Sequence, residues 1–274
     1  MKKNKNFFKK KKDGWYISKD YIHFDLPISQ KNATKKVTSK DFVSKRAFFP
    51  LISFSIKSKK YVKQDDGTKI KKPKTREICY ASHLDSHIYS YYAKKLSISY
   101  EKKVEEFNIN DNVLAFRKIK NEKENLTNIH FASIAFNKIC SFDNCSIIAI
   151  DFSDFFGTLD HELLKKSIKN ILEVDRLDTD YFNIYKSLVN YTYVNKDDLY
   201  KLFGIPKNNT KNFNRICSIK DFRTKVRNIN NLINRNPKQK LHLNKGIPQG
   251  TPISALLSNI YMLDFDVKLK NFLD

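Results

Sequence analysis

Residues 146–164 read SIIAIDFSDFFGTLDHELL, and the character of the chain changes twice within that stretch. Ser146 to Phe152 is a short apolar run rich in β-branched residues that ends on Asp151 and Phe152. Such a run predicts a buried strand with a carboxylate at its exposed end. Ser153 to Leu159 is polar and aromatic around Gly157, which predicts a turn. From Asp160 the period becomes helical, with Leu163, Leu164, Ile168, Ile171 and Leu172 on one face and Asp160 at the N-cap. A carboxylate held at a strand end, beside the carbonyl of Phe152, is a good place for a divalent metal, and nucleotidyl transfer uses two such ions. Alone, such an aspartate is by default a turn or cap residue.

Upstream, FFPLISFSIKSKK (48–60) alternates apolar and polar residues as a half-buried strand does. Asp65-Asp66-Gly67 signals a turn and KIKKPKTREICYA (69–81) a second strand, so the two read as a hairpin with a very basic return strand. His83 to Glu101 predicts a helix whose tyrosine stripe faces the core, and Ile129 to Ile139 a second helix. Trp15 to Leu26 predicts a short packed element, and residues 1–12 a basic arm. Downstream, Lys196 to Lys240 is rich in Asn and Lys and reads as irregular or inserted. Gly246-Ile247-Pro248-Gln249-Gly250-Thr251-Pro252-Ile253-Ser254 then joins a glycine-flanked amide to the start of a helix running from Pro252 to Leu269. Gln249 offers both a donor and an acceptor to a ligand.

The 274 residues carry 52 Lys and Arg against 29 Asp and Glu, a net charge of +23. A cationic surplus of that size attracts polyanions and points to nucleic acid as a partner. Cys79, Cys140, Cys145 and Cys217 have neither CxxC spacing nor histidines at zinc-finger distance. With no signal peptide and no segment of transmembrane length, the sequence predicts a soluble, cytoplasmic protein without a membrane partner.

Taken in order, IIAIDFSDFFGTLDHELL (147–164) resembles motif A of reverse transcriptases, and GIPQGTPISALLSNIYMLDFD (246–266) resembles their motif B, GxPQGxxxSxxLxNxY. The likeness is closest to the bacterial group of retron, group II intron and phage-defence enzymes. It implies an α+β fold, a right-handed polymerase with fingers over 41–145 and a partial palm over 146–274, preceded by a basic arm and extension over 1–40. It implies two Mg²⁺ ions, dNTPs, an RNA template and a DNA product, with a dedicated non-coding RNA among the partners the group admits. Asp151 would be a metal ligand, with Phe152 lending its carbonyl. Phe156 would lie under the sugar and exclude a 2′-hydroxyl. Gln249 and Gly250 would line the nucleotide pocket. KIKKPKTREI resembles the basic fingers strand, so Arg76, with Lys72 or Lys74, would hold the triphosphate. Ala115-Phe116-Arg117 stands where relatives contact the template, which makes Arg117 a nucleic-acid contact.

The sequence also departs from the family. The stretch between the two motifs is long, with a basic insert from Arg215 to Lys240. Motif C (YxDD) and the thumb are not found. Tyr261 to Asp266 continues the motif B helix, so Asp264 and Asp266 are not a substitute. The expectation is therefore that residues 1–274 alone do not polymerise and that the natural gene is longer or split. The function expected is reverse transcription in antiviral defence. Template-independent or protein-primed DNA synthesis and an inactive RNA-binding scaffold are the alternatives.

Overall fold

The computed structural model describes residues 14–64, 66–121, 124–207, 209–229, 231–237 and 243–273; the basic arm over 1–12 and Asp65 of the hairpin turn lie outside the described residues. The architecture is α+β. In chain order the elements are α1 (Gln30–Val37), α2 (Lys40–Ser44), β1 (Leu51–Lys63), β2 (Lys69–Tyr80), α3 (His83–Glu106), α4 (Asn128–Cys140), α5 (Phe155–Thr158), α6 (His161–Leu172), α7 (Thr179–Val189), β3 (Thr192–Asn195), α8 (Lys196–Leu202), α9 (Ile219–Asp221), β4 (Asn234–Arg235) and α10 (Ser254–Leu273). No helix among the described residues is long and apolar enough to cross a membrane.

The hairpin forms as its alternation predicts, pairing from Ile52 opposite Tyr80 out to Lys63 opposite Lys69. Asp66 stabilises the turn by accepting from the Thr68 amide at 2.8 Å. β1 then pairs in parallel with β3, and β3 antiparallel with β4, giving the order β2-β1-β3-β4. One face of this sheet is covered: Ile52 and Val194 pack with Ile22, Phe24, Leu199, Tyr200, Ile216 and Phe222. The outer ribbon stands free, with every β2 residue from Lys71 to Glu77 exposed.

The principal core collects α3, α6, α7 and α10 together with Trp15. The α3 stripe is core, as its spacing predicts: Tyr89, Tyr92 and Tyr100 are buried, and the Tyr92 hydroxyl donates to buried Asp180 at 2.5 Å. Asp25 reaches the first turn of α3, accepting from the His83 and Leu84 amides at 2.9 and 3.0 Å. At α6, Asp160 caps as expected, accepting from the Glu162 and Leu163 amides at 3.0 Å each, an interaction worth about 1 kcal/mol. Leu163 itself points outward, while Leu164, Ile168 and Ile171 are buried.

Two expectations are corrected. Ser146 to Phe152 is not a buried strand: it carries no regular structure, and Ile148 and Ile150 are 86% and 76% exposed. A lone extended segment cannot satisfy its own N–H and C=O groups, and among the described residues no other strand pairs with it. Neighbouring α4 forms over the expected span, but none of its residues is buried. The described residues between Lys196 and Lys240 are not merely irregular. With Thr192–Asn195 they supply β3's continuation into α8, then α9 and β4, and their apolar residues build the second core. Those residues are sparse among Asn and Lys, so no long period marks them.

Candidate functional site

The two motif segments meet although more than eighty residues separate them. Gly246 N–H donates to the Leu159 carbonyl at 2.8 Å, Ile247 N–H to Phe156 O at 2.9 Å, and His161 N–H to Asn244 O at 3.1 Å. Gly246 takes φ +87, and a Cβ there would lie 2.9 Å from the Gly157 carbonyl, so this approach requires glycine. The other end of the loop rests on the hairpin. Cys79 N–H donates to Gln249 O at 2.8 Å, and a Cβ on Gly250 would lie 2.6 Å from Cys79 O.

Between these contacts lies a cavity of about 940 Å³. One wall is the turn Asp154–Gly157, and Gln249 and Ile247 close one end. Its floor is the opposite sheet face. Ser53 and Ser55 of β1, Thr75, Glu77 and Cys79 of β2, and Tyr193 and Asn195 of β3 all line it, and the strand registers place these residues on one face. Burial pushes the Cys79 thiol up to about 12 and raises the Tyr191 and Tyr193 phenols. These groups therefore stay neutral at physiological pH; the thiol is no thiolate nucleophile.

Of the residues singled out from sequence, Phe156, Gln249, Lys74 and Arg76 border the cavity. Arg76 and Lys74 alternate with Glu77 and Thr75, so their side chains leave the opposite face of the ribbon (the face of Ile56 and Ser58) while their strand forms the cavity's edge. Lys72 lies farther out, opposite Lys60, and is not among the cavity's lining residues. Gly250 is exposed and holds the loop against β2. Asp151 and Phe152 sit on the exposed segment just before the turn, outside the cavity lining; Phe152 stacks edge-on against Phe265 of α10 at 6.2 Å.

Arg117 is largely engaged within the chain. Its side chain is 6% exposed and paired with Glu101 at 2.6 Å, and it also donates to the carbonyls of Val113 and Asn110 at 2.7 and 3.0 Å. It staples the 110–117 loop to α3 and has little surface left for a phosphate. Sequence reasoning missed the wall made by Tyr191, Tyr193, Asn234 and Asn236. The YTYVN alternation at 191–195 was its only local signal, too short to stand out.

Among the described residues no group of three or more His, Cys, Asp or Glu side chains is arranged to hold a metal. Asp151 and the Phe152 carbonyl are hard oxygen donors of the kind Mg²⁺ takes, with open surface around them. Mg²⁺ commonly binds one or two carboxylates and completes its shell with water and substrate phosphates. The pair therefore fits a substrate-assisted ion but is not a self-contained two-metal cage. No protein-family model matches the chain, and no curated protein is similar to it in sequence.

Proposed function

We propose that this chain is the fingers and part of the palm of a reverse transcriptase that copies RNA into DNA, acting in the cytoplasm in antiviral defence. The observation that carries the reading is the joining of the 156–161 turn to the 244–250 loop around one nucleotide-sized cavity beneath a cationic ribbon. Chemistry that needs an aromatic and an amide around one substrate, with a cationic strand at its edge, finds them there. Phe156 bounds the sugar and Gln249 meets the base pair or sugar. Lys74 and Arg76 belong to the strand that edges the cavity but project from its opposite face, so they add long-range attraction for a triphosphate. Asp151 and the Phe152 carbonyl would hold Mg²⁺, which would supply phosphate-charge neutralisation and hydroxyl activation there.

Asp151→Ala tests the assignment. Incorporation of dNTPs by the complete protein with Mg²⁺ is abolished, while RNA binding, carried by Lys and Arg elsewhere, stays nearly intact. Unchanged primer extension removes Asp151 from the reaction. A second reading, an RNA-binding scaffold without catalysis, is favoured by the lack, among the described residues, of any group of three or more metal-ligating side chains. Under that reading even the complete protein binds RNA but extends no primer.

A further inference from the structure

The loop that carries Gln249 has most of its carbonyls assigned to donors. Ser254 Oγ donates to Pro248 O at 2.6 Å, and Cys79 N–H to Gln249 O at 2.8 Å. The carbonyls that begin the loop are held by a residue outside both motifs. Asn236 Nδ2 donates to Lys245 O at 2.9 Å and to Gly246 O at 3.1 Å, and His161 Nε2 shares Gly246 O at 2.9 Å. Asn236 is 1% exposed, and its own N–H donates to Tyr191 O at 3.1 Å. One asparagine thus ties the Tyr191–Tyr193 wall to the Gln249 loop, at an acceptor also held by the first residue of α6.

We propose that Asn236 is the positioning residue of this cavity: its amide fixes the carbonyls of Lys245 and Gly246, so that Gln249, three residues on, meets its ligand at a set place. The segment between the two motifs then governs nucleotide affinity without touching the nucleotide. A buried primary amide is costly unless bonded, and here its direction is what the loop uses. Volume alone does not serve, because a carboxylate of the same shape would face two carbonyl oxygens with no proton to give. The affinity part rests on the nucleotide reading above; the latch itself does not.

The test uses the 274-residue protein as wild type, Asn236→Ala, Asn236→Asp and His161→Gln. Two quantities are measured: hydrogen–deuterium exchange over residues 244–252, and equilibrium binding of dATP with Mg²⁺. Both Asn236 variants should exchange about tenfold faster in that loop and bind dATP about tenfold more weakly, the scale of one lost buried hydrogen bond. His161→Gln, which retains an N–H donor, should stay near wild type in both. If Asn236→Ala does not fold, the isosteric Asp variant carries the test. Unchanged exchange in the folded Asn236 variants overturns the proposal, as does a loosened loop with wild-type dATP affinity. If the wild-type protein binds no dATP, the nucleotide reading fails instead, and loop exchange alone decides whether Asn236 is the latch.

Discussion

Gly250→Ala puts a measurable cost on the contact that seats the Gln249 loop on the hairpin. Gly250 has φ +110, a backbone region that side chains avoid at a cost of about 1–3 kcal/mol. The new Cβ would also stand 2.6 Å from Cys79 O and 2.7 Å from Ile78 Cγ2, and neither the strand carbonyl nor the packed methyl can give way freely. The cheapest relief is for the loop to lift off β2, breaking the 2.8 Å bond from Cys79 N–H to Gln249 O, a further ~1 kcal/mol. The total expected is about 2–4 kcal/mol. Gly204→Ala is the control, because Gly204 has φ +63 but nothing within 4 Å of its Cβ position. It should cost only the backbone term, about 1–2 kcal/mol. Urea unfolding of both variants against wild type, compared at matched m-values, reads the difference. If Gly250→Ala loses no more stability than Gly204→Ala, the loop does not rest on β2 as described.

Arg117→Leu should destabilise the protein by about 2–3 kcal/mol, because it strips donors from Glu101 and two backbone carbonyls. RNA affinity should stay within twofold; a stable variant that has lost RNA binding would restore Arg117 as a template contact. Phe156→Ala should raise rNTP use relative to dNTP, since the ring borders the cavity where a ribose 2′-hydroxyl would sit; an unchanged ratio means that Phe156 only packs the turn. Burial lifts the Asp266 carboxyl to about 6 in the folded chain, above its ordinary 3.8, so the native state binds the proton more tightly and stability falls as pH rises between about 4 and 6. Asp266→Asn avoids that loss and should melt above wild type at pH 8, with the two converging at pH 4; a gap that is the same at both pH values refutes the shift.

Local features were legible in the sequence because each is dictated within a few residues. The alternation of 48–60 and the turn signal at 65–67 mark a ribbon, Asp160 caps α6, and the tyrosines of α3 recur at helical spacing. The glycines of the 246–250 loop were legible too, since their positive φ reflects a backbone geometry that side chains resist. Everything that depended on a distant partner was decided by the tertiary structure. The run 146–152 has strand composition, but a strand exists only where another backbone accepts its hydrogen bonds. Arg117 reads as a free cation until Glu101, sixteen residues away, takes its guanidinium. Asn236, one of many asparagines in a basic stretch, becomes distinct only when folding buries it against two carbonyls of the motif loop. A side chain's chemistry is written locally, but what it touches is set by the packing of segments far apart in the chain, and here that packing selected the wall of the site.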